Sequence, residues 1–201
     1  MQLRFAFGKG GLTLELPAEY RYDVLEARSA SALPDARRAI EDALERPSAG
    51  PSLAALAKGK KSAAISVCDI TRPQPREVML AAILEALDGR IRPEDVVVLV
   101  ATGTHRANTR AELVDMLGAD VMAHCRVVNH DARDRSTLVD LGMVGDVPVW
   151  LNRDWVEADV RITTGFVEPH FFAGFSGGPK MVAPGLAGTH PVGRLVEMLD
   201  D

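Results

Sequence analysis

Cysteine is nearly missing from this chain: its 201 residues hold only Cys68 and Cys125, far apart. Two such thiols build no disulfide framework and no CxxC metal pair. Large aromatic rings are scarce, with two Trp and two Tyr. The basic residues form no stripe, which speaks against a nucleic-acid surface. No apolar run approaches the ~18 residues of a membrane span. Met1-Gln2-Leu3-Arg4-Phe5 lacks the apolar stretch of a secretory signal. The expectation is a protein of the reducing cytoplasm, with neither membrane nor nucleic acid among its partners.

What is present fits a soluble globular protein: 47% hydrophobic residues, 25% charged residues and a net charge of −5. The length allows one substantial core or two small ones. Residues 1–16 alternate around Gly8-Lys9-Gly10-Gly11, which predicts a β-hairpin. A phosphate loop would instead end in Gly-Lys-Ser/Thr and open a helix. Residues 18–61 are polar and irregular, with a helix predicted from Pro34 to Glu45 and a short turn near Leu53. Lys58-Gly59-Lys60-Lys61 reads as a solvated loop.

From Ser62 the pattern becomes regular. Strands are predicted at 63–68, 96–101, 126–129 and 159–163, with an edge strand at 147–151 because it contains Pro148. Helices are predicted over Pro75 to Leu87 and, from the capping box Thr109-Arg110-Ala111-Glu112, through Leu117. Val96 to Ala101 has no polar face, so both faces should be covered. Alternating strands and helices imply an α/β, Rossmann-like, mostly parallel sheet with helices on both faces.

Three blocks follow predicted strands: Asp69-Ile70-Thr71-Arg72-Pro73, Gly103-Thr104-His105-Arg106, and Glu168 through Lys180. Parallel sheets bind ligands beyond the carboxyl ends of their strands, so these blocks belong to one edge. The Arg72 fork suits a small carboxylate. Asp69 can orient a histidine or cap the helix beginning near Pro75. His105 and His170 can move protons near neutral pH, and Phe171-Phe172-Ala173-Gly174-Phe175 should shield His170 from water. Ser176-Gly177-Gly178 can cradle a phosphate with its amides. Lys180 can neutralise a phosphate or bond covalently to a cofactor. Cys68 reads as a buried thiol, and His124, His130 and His190 as surface or packing residues. A zinc hydrolase is disfavoured, because no HExxH or cysteine cluster accompanies the histidines.

These residues resemble the N-terminal domain of the nickel-pincer lactate racemase family. The likeness runs almost end to end, through the early Gly-Lys-Gly, Asp69 to Pro73, Ala101 to Arg106, Asn129-His130-Asp131 and His170 to Gly185. It implies a nickel-pincer mononucleotide tethered through Lys180, and racemisation or epimerisation of a small 2-hydroxy acid by removal and return of a hydride. By the same resemblance His105 and His170 are the base pair, Arg72 anchors the substrate carboxylate and Asp69 supports His105. The nickel histidine of the family is expected at position 196, where this chain has Val196. Residues 1–201 are taken as one N-terminal domain, with the family's second domain absent and a second domain or subunit expected to complete the site. The alternative is a non-catalytic module that binds a nucleotide or carboxylate.

Overall fold

The run at 96–101 is apolar at every position because both of its faces are packed. The computed structural model describes residues 1–8, 10–25, 30–170 and 174–189. By contact the chain separates into two units, Met1–Leu33 and Pro34–Asp201.

In the first unit, β1 (Gln2–Phe5) and β2 (Leu12–Glu15) form the antiparallel hairpin that the alternation predicts. Leu3 pairs with Leu14 and Phe5 with Leu12, so four apolar side chains share one side. Lys9, in the turn, lies outside the described residues.

The second unit begins with α1 (Ala36–Glu45), α2 (Leu53–Leu56), β3 (Ala63–Cys68), α3 (Arg76–Leu87) and β4 (Val96–Ala101). There follow α4 (Arg110–Leu117), α5 (Ala119–His124), β5 (Arg126–Asn129), β6 (Leu138–Val144) and β7 (Val147–Asn152). It continues with α6 (Arg153–Glu157), β8 (Val160–Thr163), β9 (Pro169–His170) and β10 (Gly174–Phe175). The central sheet has the order β5-β4-β3-β8, with every pair parallel. That is the strand order of half a Rossmann fold. The chain works outward from β3 to β5 and then returns to the far side of β3.

Strand alternation sorts the core into two layers. Ile65, Val67, Val98 and Val100 pack with Leu80, Leu87, Leu113 and Leu117 from α3 and α4. Ala64, Val97 and Leu99 pack on the opposite face with Trp155 of α6 and Leu186. The capping box forms as predicted: Thr109 accepts from the Glu112 amide, and Glu112 accepts from the Thr109 amide. The predicted edge strand at 147–151 belongs to a separate antiparallel pair, β6–β7, whose register shifts between Asp140 and Met143. Among the described residues no helix is long and apolar enough to cross a membrane.

His130 is a packing residue, 3% exposed. Its amide donates to Val100 O at 3.1 Å, and its Nε2 donates to Ala187 O at 3.0 Å. Asn152 Nδ2 donates to its Nδ1 at 3.3 Å, so the ring is held neutral with the proton on Nε2. Burial pushes its pKa below the ordinary 6.5. The unfolded chain therefore binds a proton that the native ring resists. His130 contributes stability above pH 6.5 that is lost as pH falls through the depressed native value. The slope is bounded at about 1.4 kcal/mol per pH unit for one proton. Denaturant midpoints measured between pH 7.5 and pH 5 should fall, and the acid-side slope should flatten in His130→Gln.

Candidate functional site

The carboxyl ends of β3, β4 and β8 deliver three loops to one cleft of about 120 Å³, and its lining includes Asp69, Arg72, His105, Ser176, Gly177 and Lys180. These are six of the residues that the sequence singles out.

Asp69 follows the last residue of β3 and is 5% exposed. Its Oδ1 accepts from the Thr71 amide at 3.1 Å and from Thr71 Oγ1 at 2.5 Å. Its Oδ2 meets His105 Nδ1 at 2.6 Å. Burial raises the Asp69 pKa, but the bonds from Thr71 and His105 outweigh it, and the net shift is downward. An ionised carboxylate only accepts, so Nδ1 carries a proton toward Asp69, and in the neutral ring the lone pair is on Nε2. Of the two places expected for Asp69, the structure shows the bond to His105, and α3 begins without a side-chain cap.

His105 reaches Asp69 because the loop after β4 turns sharply. Thr102 N donates to Val100 O at 2.9 Å, and His105 N donates to Thr102 O at 2.9 Å. Gly103 sits at φ +55° and donates to Gly185 O at 3.0 Å. Gly185 is constrained in turn: a Cβ there would lie 2.6 Å from Met181 O and 2.9 Å from Ala101 Cβ. Arg106 turns away from this chemistry and clasps Glu112 of α4 at 2.8 and 2.6 Å.

Arg72 has a side chain 29% exposed, and its Nε lies 3.7 Å from Glu168 Oε1. Its Nη1 also donates to Thr71 O at 3.4 Å and Thr71 Oγ1 at 3.3 Å, and such long contacts can give way to a small carboxylate. Lys180 is fixed by its main chain. Its amide donates to Gly177 O at 3.1 Å, and its carbonyl accepts from Gly185 N at 3.0 Å. Burial pushes the Lys180 ammonium down from its ordinary pKa, and the Arg72 charge adds to the effect.

Ser176 lines the cleft but spends its hydroxyl on the loop, accepting from Glu168 N at 3.0 Å and donating to Phe166 O. His170 and Gly178 are not among the described lining residues. His170 is half-buried in β9. Burial lowers its pKa, and the charges of Lys180 and Arg72 lower it further, which places it within electrostatic reach of both. Phe171, Phe172 and Ala173, expected to shield it, lie outside the described residues, while Phe175 is 64% exposed. Val196 and His190 also lie outside them. Among the described residues no group of three or more His, Cys, Asp or Glu is placed to hold a metal ion.

Two residues that hold this site were missed in the sequence. Arg76, 7% exposed, donates from Nε to Cys68 O at 2.8 Å, from Nη1 to Gln74 O at 3.2 Å, and from Nη2 to Arg72 O at 2.7 Å and to Asp69 O. Gln74 accepts from Cys68 N at 2.8 Å and donates to Thr164 Oγ1 at 2.7 Å. The β3–β8 ladder runs only to Ser66 and Thr163, and the Gln74 amide bridges the strands beyond it. The available signal was two long polar side chains directly after an Arg-Pro turn at a strand end, a pattern shared by many solvated loops.

Comparison with known proteins bears on the family and the fold. Residues 7–194 match the family model of the lactate racemase N-terminal domain. A lactate racemase from Thermoanaerobacterium thermosaccharolyticum is 34% identical over 92% of this chain and 44% of its own length. A lactate racemase from Lactiplantibacillus plantarum is 40% identical over 74% of this chain and 35% of its own. The chain thus spans less than half the length of either relative. The structure of the Thermoanaerobacterium lactate racemase apoprotein superposes with a TM-score of 0.84 at 33% identity, covering 96% of this chain and 45% of that one. A crystal structure of a Thermotoga maritima protein, 24% identical with a TM-score of 0.68 over 85% of this chain and 42% of its own, shares the fold. With the family model, the sequence matches and the fold in agreement, the chain belongs to the lactate racemase N-terminal domain family.

Proposed function

We propose that this chain is the acid-binding and proton-transferring part of a racemase or epimerase for a small, lactate-like 2-hydroxy acid. The observation that carries the reading is the Asp69–His105 bond, 2.6 Å long, in a cleft that Arg72 and Lys180 also line. The enclosed volume, about 120 Å³, is far below the roughly 300–1,000 Å³ of sites for drug-sized ligands. It suits a small acid.

Arg72 would pair with the substrate carboxylate and fix the position of C2. His105, its Nδ1 proton held by Asp69, would take the hydroxyl proton at Nε2 as the alcohol carbon becomes planar. Inversion needs a second base for the opposite hand, and His170 is the candidate. The burial of Lys180 and its proximity to Arg72 favour the uncharged amine that a covalent tether requires. Lys180 would hold the nickel-pincer mononucleotide implied by the family resemblance, and that group supplies acceptance and return of the C2 hydride. The family's second domain, or a separate subunit, would complete the surroundings of so small a cleft.

In protein loaded with the cofactor, a mass increment should map to Lys180. Inversion of a chiral 2-hydroxy acid should fall strongly in His105→Ala and in His170→Ala. A double variant that keeps full activity would refute the two-base reading. A second reading is a carboxylate-binding module without turnover, which the Arg72 guanidinium in the same cleft would serve equally well. Calorimetric binding of lactate with no inversion in any reconstituted mixture would favour it.

A further inference from the structure

We propose that Lys180 is also a nucleophile toward 2-oxo acids, condensing with the carbonyl carbon to an imine while Arg72 holds the acid's carboxylate. The inference rests on the reading that the cleft takes a small acid, and it adds a covalent activity to the unloaded chain.

The geometry favours this lysine over the others. Lys180 lines the same small cleft as Arg72 and His105, so an acid seated on the guanidinium has its second carbon confined near the amine. Its main chain is pinned on both sides, to Gly177 O and by Gly185 N. The next carbonyl, Met181 O, accepts from Ser66 Oγ at 3.1 Å inside the sheet. Burial and the Arg72 charge enlarge the share of uncharged amine near neutral pH. Lys58, Lys60 and Lys61 are exposed and line no part of this cleft.

The step balances without an oxidant or reductant. The amine nitrogen bonds to C2 as the C=O π bond opens, and one N–H proton passes by way of His105 Nε2, whose ring partner Nδ1 rests on Asp69, to the oxygen. The second N–H proton follows as water leaves, so both hydrogens of that water come from the amine, His105 ends as it began, and C=N remains. The same amine would serve the cofactor tether, so a 2-oxo acid would compete with loading.

The test uses the full 201-residue chain, pyruvate and cyanoborohydride. One reduced pyruvyl adduct is expected by intact mass, and peptide mapping should place it on Lys180. Lys180→Arg should abolish it, and Arg72→Gln should slow trapping by about tenfold or more, the scale of a lost charge-assisted hydrogen bond. Acetone, which has no carboxylate, should label Lys180 no faster than Lys58. A label spread evenly over Lys58, Lys60, Lys61 and Lys180 overturns the proposal. Lactate cannot form an imine, and its calorimetric binding separates the two levels. No adduct with lactate still bound overturns the imine alone. No adduct and no lactate binding overturns the acid site beneath it as well.

Discussion

His105→Ala is expected to lower inversion of a 2-hydroxy acid by the cofactor-loaded protein about 10²–10⁴-fold, the usual worth of a positioned general base. Asp69→Asn should cost nearly as much, although no atom of Asp69 is assigned to touch the acid. Asp69 Oδ1 accepts two bonds from Thr71, and Oδ2 accepts one from His105 Nδ1. An asparagine has one oxygen and one NH₂ for these places. With its oxygen kept on Thr71, its NH₂ faces Nδ1 and forces the imidazole proton onto Nε2. The base then has no lone pair where the hydroxyl proton arrives. With the amide reversed, its NH₂ faces the two Thr71 donors and the turn opens. Either way kcat falls while a carboxylate still finds Arg72, so calorimetric affinity for lactate should stay within a few-fold. The two losses should not add: Asp69→Asn, His105→Ala should match His105→Ala alone, because both remove one unit. A double variant that drops by the product of the single effects would mean that Asp69 acts apart from His105.

Much of the sheet was legible because its residues carry one message. Val96 to Ala101 are apolar throughout, and a parallel strand between two packed layers requires that. The three site blocks were legible for a related reason. A parallel sheet puts every strand's carboxyl end on one edge, so finding the strands found the cleft. The illegible parts have local causes. Gly118, φ +84°, closes α4 and opens α5 at once, and a glycine read as a terminator hides the helix beyond it. The shifted register between Asp140 and Met143 breaks the alternation that would have marked β6. His170 shows the limit at the site. Its place in the chain was plain, but its distance from the acid depends on how β9 and β10 fold back, which no periodicity encodes.

Arg76→Met is expected to destabilise the second unit by about 3 kcal/mol, a value built from acceptors and not from charge. Four main-chain carbonyls converge on the Arg76 guanidinium. A buried acceptor left unpaired costs about 1–3 kcal/mol. Gln74 O still accepts from the Arg76 amide at 2.9 Å and Asp69 O from the Arg72 amide at 3.3 Å, so only Cys68 O and Arg72 O are left orphaned. Removing a buried cation offsets part of this loss, because burial already pushes the Arg76 pKa down. Arg76→Lys keeps the charge but brings one ammonium in place of a planar fork, and it should recover less than half of the loss. Denaturant midpoints check both numbers. A brace that served the fold alone would leave acid binding intact in whatever fraction stays folded. The Arg76 fork joins the carbonyls on either side of Asp69 and Arg72, so its loss should also let the anchor wander. Lactate affinity measured well below the unfolding transition should fall about tenfold in Arg76→Met, the scale of one misplaced charge-assisted bond, and part of it should return in Arg76→Lys. Full affinity in a destabilised Arg76→Met would confine Arg76 to the fold.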